Sequence, residues 1–242
     1  DGPCQTALAS VSTDPRCDPA LRRRALLALG NVPQPTAASL HVLWSAFCRG
    51  GGDESRTALL AFGRAAGQLP SRANGSYEAA RDQLGRALKL AAPDAIISVL
   101  QAMASTGDPS FVPAIEPLLV ARSPAVRAAA ARALAGTGGA SVATTLVTAM
   151  PSEPDAEVRR ELARGLLALD QPGQRTLAEA AAAMFHEHDA PTRLLLARLL
   201  GNHLDTDASA RAALAQLLQH ERDERICCYL AARLERGPGA SY

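Results

Sequence analysis

The stretch SPAVRAAAARALAGTG, from Ser123 to Gly138, decides the reading of this chain. Pro124 loses no hydrogen bond in the first turn of a helix, and Ser123 before it is a capping residue type. From Ala128 to Ala135 alanine and leucine run on, interrupted only by Arg132, and the glycines at 136, 138 and 139 supply a stop. The same grammar returns as DAEVRRELARGLLALD from Asp155, as DAPTRLLLARLLGNHL from Asp189 and, more loosely, as ERDERICCYLAARLER from Glu221. Each copy opens on a capping residue or an acid and carries arginine four positions later, at Arg127, Arg159, Arg193 and Arg225. Their spacings of 32, 34 and 32 residues equal two short helices and two turns.

The intervening segments read as the first helix of each hairpin. They are SFVPAIEPLLVA from Ser110, ASVATTLVTAM from Ala140, QRTLAEAAAAMF from Gln174 and DASARAALAQLL from Asp207. Upstream, DPALRRRALLALGN from Asp18, DESRTALLAFGR from Asp53 and PDAIISVLQAMASTG from Pro93 follow the pattern less regularly. GQLPSRANGSY, residues 67–77, concentrates turn formers and reads as an inserted loop before a helical run from about Glu78 to Lys89. The expectation is one domain over 1–242, with irregular repeats in 1–109 and regular ones in 110–242.

Asp-Pro-Ala-Leu-Arg at 18–22 and Ser-Pro-Ala-Val-Arg at 123–127 resemble the opening of the second helix in HEAT repeats. The resemblance implies an all-α, right-handed α-solenoid of about six to seven helical hairpins, with the second helices lining the concave face. It also implies a structural ladder of acid and arginine between neighbouring repeats, drawn from Asp155, Arg159, Asp189 and Arg193, with Arg127 and Arg225 in the same row. Ser123 stands where the family has its acid, which puts that rung in question. A weaker resemblance, carried by RRALLALGN, by RTALLAFGR 33 residues on and by LQAMASTGDPSFVPAIEPLL, is to the helical region of vitellogenin-type large lipid-transfer proteins. The β-sheet modules that hold lipid in that family have no counterpart in this sequence.

Composition agrees with helices packed through small side chains: 48% of residues are apolar but only 3% aromatic. A net charge of +1 gives no global field for nucleic acid, and no run of apolar residues suits a membrane span. Of 25 basic residues only Lys89 is lysine, a bias that goes with abundant alanine, glycine and proline and points to a GC-rich, bacterial coding sequence. The sequence starts at Asp1 without methionine, as expected of a mature exported form or an excised fragment. Cys4 and Cys17 bracket a short segment and are a candidate disulfide, which favours export to the periplasm or beyond over the cytoplasm. Cys48, Cys227 and Cys228 read as small buried hydrophobes.

Around the second helices, Arg132, Arg164 and Arg198 lie about 140° from the ladder arginines, forming a row along one surface that stops at Leu230. These three are candidate partner-binding residues; the competing reading is that they solvate the helix and pair with acids such as Glu161. Leu40, Leu43, Trp44 and Phe47 share one helix face and read as core or end-of-stack packing rather than a ligand platform. His186 and His188 are too close in sequence to face one another on a helix, His203 and His220 lack coordinating spacing, and no metal or cofactor is expected. The Asn74-Gly75-Ser76 sequon is too short to carry weight. Nucleophile elbows, phosphate loops and HExxH are missing. The expected function is therefore a non-enzymatic scaffold for a protein or peptide partner, or for another domain of the same polypeptide. The alternatives are the helical module of an exported lipid-transfer-like protein and a bilin-lyase-like HEAT-repeat enzyme.

Overall fold

The computed structural model describes residues 2–69, 75–169 and 172–235. Among them lie fourteen α-helices and no strand. The chain divides into two compact units, Asp1–Leu118 and Leu119–Tyr242.

The first unit holds α1 (Gly2–Thr13), α2 (Pro19–Gly30), α3 (Ala37–Arg49), α4 (Gly52–Gly67), α5 (Gly75–Leu90), α6 (Pro93–Thr106) and the single turn α7 (Val112–Ile115). Helices α1 and α2, α3 and α4, and α5 and α6 pair as hairpins, with α2, α4 and α6 side by side in one layer. Asp18 starts α2 by accepting from the Ala20 and Leu21 N–H groups, with Pro19 at the first helical position. Gly107 stops α6 in the left-handed region, at φ 62°.

Small residues bring this layer together. A Cβ on Gly30 would meet the Ala61 Cα at 2.6 Å, and one on Gly63 would stand 2.8 Å from the Ala102 Cα. Burial of Phe62, Leu59 and Leu100 fills the space that remains. Trp44 packs its ring 5.0 Å from Phe62 and 5.1 Å from Phe47, in agreement with a core role.

Two expectations need correction here. The helical run after the predicted loop begins at Gly75, not Glu78, while residues 70–74, including Asn74 of the sequon, lie outside the described residues. The segment from Ser110 is not one helix: it is 3-10 over Pro109–Phe111, α over one turn and 3-10 again over Glu116–Val120. Pro113 and Pro117 remove successive N–H donors and prevent a continuous ladder of backbone bonds.

The second unit holds α8 (Pro124–Thr137), α9 (Ala140–Ala149), α10 (Ala156–Leu167), α11 (Gln174–His186), α12 (Ala190–Asn202), α13 (Ala208–His220) and α14 (Glu224–Glu235). It is the regular part of an α-solenoid: α8, α10, α12 and α14 stack in one layer, and α9, α11 and α13 stack over them in the other. Asp155, Asp189 and Asp207 each cap a helix through main-chain N–H groups, whereas Ser123 makes no side-chain cap bond. The core between the layers is Leu and Ala, with Leu134, Leu146, Leu162, Leu166, Leu196 and Leu200 essentially sealed from solvent.

Candidate functional site

Three arginine forks tie the second unit together, each made the same way. Arg159 donates Nε and Nη2 to the two oxygens of Glu187, at 2.7 and 2.9 Å, and Nη1 to the carbonyls of Glu153 and Pro154, at 3.1 and 2.9 Å. Arg193 repeats the pattern on Glu221, at 2.9 and 2.9 Å, and on the carbonyls of Glu187 and His188. Arg127 does so on Glu153, at 2.7 and 2.7 Å, and on the carbonyls of Ala121 and Arg122. One guanidinium thus pins its own inter-helix loop and the loop of the next repeat together, in the planar bidentate geometry that only arginine offers. A related pair, Arg22 with Glu54, occurs in the first unit.

The acids of the ladder differ from those expected. They are Glu153, Glu187 and Glu221, two positions before the capping residues, so Asp155 and Asp189 are caps rather than rungs to Arg159 and Arg193. Asp189 also receives Arg160 at 3.0 Å. The rung of Arg127 is complete despite Ser123, because position 123 was never its acceptor. Burial pushes the Glu187 and Glu153 carboxyls up, but their arginines and the N–H groups of Asp189 and Asp155 outweigh it and hold both below the ordinary value. The Arg193 fork takes Glu221 down to about 2.

Arg225 does not continue the row. Its place is taken by Cys227, whose Sγ lies 3.5 Å from the Glu221 carbonyl, the counterpart of the Arg193 bond to Glu187. The register of the last repeat is therefore E-x-D-x-x-x-C, matching E-x-D-x-x-x-R at 153–159 and 187–193, and Arg225 sits exposed on α14. By the same register the position after Arg198 is Ala232 rather than Leu230.

On the second helices, Arg132 and Arg164 converge on one buried carboxylate. Glu161 is 2% exposed, its Oε1 is paired with Arg164, and Arg132 of α8 reaches the same oxygen at 3.8 Å. Its Oε2 is sealed from solvent without a hydrogen-bond partner. The equivalent positions in the flanking repeats are buried Ala129 and partly buried Leu195, so an acid stands in the middle of the array where its neighbours have apolar residues. The two guanidiniums themselves stay half-exposed, at 50% and 51%. Arg198, one repeat further, is exposed, and its charge and that of Arg233 bear on the half-buried Tyr229.

A cleft of about 600 Å³ opens on the other layer, between α9 and α11, walled by Val147, Met150, Pro151 and Ala183 and holding Glu179 and His186. No group of three or more metal-ligating side chains occurs among the described residues. The five cysteines are free thiols, including Cys4 and Cys17. Cys48 and Cys228 are exposed rather than buried, because the core faces of α3 and α14 run through Leu40, Leu43 and Ala46 and through Ile226 and Leu230. No described helix is long and apolar enough to cross a membrane.

Residues 81–167, which contain α8 and α10 with the Arg127 rung, match the family model of HEAT repeats. Over that segment the chain carries HEAT repeats. The chain is also similar in fold to the HEAT-like repeats protein of the archaeon Thermococcus onnurineus NA1, with TM-score 0.56, 14% identity and coverage of 96% of this chain and 95% of that one. It is similar to a chain of the CpcE–CpcF complex of phycocyanin lyase from Nostoc sp. PCC7120, with TM-score 0.52, 17% identity and coverage of 96% and 93%. At these identities the likeness is one of fold. Among curated protein sequences none matches the chain.

Proposed function

We propose that this HEAT-repeat chain is a non-enzymatic interaction scaffold, and that the face carrying Arg132, Arg164 and Arg198 grips an acidic segment of a protein partner. The observation that carries the reading is Glu161. A buried carboxylate with one oxygen unpaired costs stability relative to the Ala and Leu of the neighbouring repeats. In return it holds two guanidiniums from successive helices at a fixed separation with donors still open to solvent. Such a pair is suited to a partner carboxylate, while Arg198 extends the positive row by one repeat. Rigid helices supply this surface with little ordering cost on binding. The phycocyanin lyase structure is a complex of two chains, which lends support to a protein as the partner class.

The test is fluorescence anisotropy with a labelled helical peptide of Ala, Leu and Glu, beside a control with Lys for Glu. Removing Arg132 and Arg164 alone would strand Glu161, so the variant carries Arg132→Gln, Glu161→Leu and Arg164→Gln together. The acidic peptide is expected to bind the native chain in a salt-sensitive manner and to lose about tenfold or more on the variant, one charge-assisted pair's worth. Equal binding of the two peptides, or unchanged binding by a folded variant, refutes the reading.

A further inference from the structure

Four helical glycines of this chain sit where another helix crosses. A Cβ on Gly30 or Gly63 would run into the backbone of Ala61 or Ala102, one on Gly165 would meet Leu146 and Ala135 at 3.0 and 3.2 Å, and one on Gly201 would strike the Tyr229 hydroxyl. Gly85, in the middle of α5, is different: a Cβ there meets nothing within 4 Å. Glycine in a helix interior is destabilising relative to alanine, and nothing packed against Gly85 among the described residues requires it. Gly85 lies in a cleft of about 740 Å³ between α5 and the segment 109–118 of the first unit, where the proline-broken chain supplies no continuous helix to cover this side of α5. The floor of the cleft is apolar, formed by Leu88, Ile96, Phe111, Pro113, Pro117 and Leu118. Its rim is cationic: Arg81, Arg86 and Lys89 of α5 stand against one carboxylate, that of Asp82, which is held only loosely by Arg81 at 3.7 Å. Arg86 gives Nε to the Asp82 carbonyl at 3.4 Å. Among the described residues neither Arg86 nor Lys89 makes an ion pair, and both are exposed.

We infer that this cleft takes an acidic amphipathic helix of a partner protein, crossing α5 at Gly85. The apolar stripe of that helix seats on the floor between α5 and the segment 109–118, as amphipathic helices do in grooves. A small residue at the crossing brings the two backbones together, as Ala61 and Ala102 do opposite Gly30 and Gly63. Carboxylates along its flank accept from Arg86 and Lys89, whose charged groups are open to solvent. A basic helix would meet three like charges at the same rim. The cleft belongs to the first unit and the Arg132 row to the second, so this site does not depend on the other.

Lys89 is the one lysine of the chain, which makes it a reporter at the rim. Reductive methylation with carbon-13 formaldehyde labels it and the terminal amine while retaining both charges, so the amine signal serves as an internal control. The probe is an amidated helical peptide with a leucine stripe, an alanine at its centre and glutamates along one flank. It is added to the native chain and to the variant carrying Arg132→Gln, Glu161→Leu and Arg164→Gln. The Lys89 signal is expected to shift saturably and alike in both, with the terminal amine unmoved. Gly85→Leu, which fills the crossing point without touching a charge, is expected to abolish the shift in a chain that melts at the same temperature or higher. Arg86→Gln is expected to weaken binding by about tenfold, as loss of a charge-assisted hydrogen bond does. A peptide with glutamine for glutamate is expected not to saturate. Equal binding by the glutamine peptide would show an apolar groove only, and a Lys89 shift with phosphatidylglycerol vesicles but not with the acidic peptide would point to a lipid surface. Either result, unchanged binding by Gly85→Leu, loss of the shift in the triple variant, or no saturable Lys89 shift overturns the inference.

Discussion

Arg159→Ala is the perturbation whose cost the structure specifies best. The guanidinium makes two charge-assisted hydrogen bonds to Glu187, a carboxylate only 4% exposed, and the arginine itself is 19% exposed. Truncation leaves the Glu187 carboxylate with main-chain N–H groups, those of Asp189 and His188, in place of its cationic partner. Breaking a buried pair from one side costs about 3–5 kcal/mol, and partial access of water places this site near the lower end. The Pro154 carbonyl is exposed and rehydrates, whereas the partly buried Glu153 carbonyl adds about 1 kcal/mol. The sum is about 3–4 kcal/mol, a large part of the stability of a domain of this size. Urea denaturation at neutral pH reads it directly. The double variant Arg159→Met with Glu187→Met, which removes both charges, is expected to cost less than Arg159→Ala alone, because no buried charge is left behind. A cost below about 1 kcal/mol for Arg159→Ala, or strict additivity of the two sites, would show that the forks do not couple the repeats.

Other outcomes follow from the same geometry. Since Glu221 is held at about 2 by Arg193, its stabilising contribution is complete above the ordinary carboxylate range and is lost as pH falls from about 4.5 toward 2; Arg193→Met should flatten that part of the stability profile, measured by thermal melts across pH. Gly63→Ala should destabilise the first unit by roughly 2 kcal/mol or more, because the new methyl meets the backbone of Ala102, which cannot yield as a side chain would; unchanged melting would show that α4 and α6 stand further apart. Glu161→Leu, which installs the residue found at 195, should leave stability unchanged or raise it by about 1–3 kcal/mol, and a clear loss in urea denaturation would mean that Glu161 is a structural rung after all.

The hairpins are legible because a period of about 33 residues repeats start signals such as Asp18-Pro19, Ser123-Pro124, Asp155 and Asp189 and stop signals such as Gly107 and Gly138, which depend on local backbone chemistry. The segment from Ser110 misled because its apolar pattern is helical while Pro113 and Pro117 forbid the hydrogen bonds, and the prolines should have prevailed. The ladder arginines at 127, 159 and 193 stood out in the sequence, but their acceptors did not. A cap and a rung are both acids near a helix start, and only the fork geometry separates Asp155 from Glu153. The E-x-D-x-x-x-R spacing at 153–159 and 187–193 is itself a sequence signal, and its match at 221–227 puts Cys227, not Arg225, at the end of the row. The sequence presents Glu161 as a surface partner of the arginines; its burial depends on how closely α8 and α10 approach, which no local pattern encodes.

The most direct measurement on the partner-binding face is a nitrogen-15 spectrum of the arginine Nε–H groups, recorded while the acidic helical peptide is added. The interaction reading predicts saturable shifts for Arg132, Arg164 and Arg198, with Arg127, Arg159 and Arg193 unmoved in their forks. Shifts confined to the fork arginines, or no saturable shift in any of the three, would contradict it.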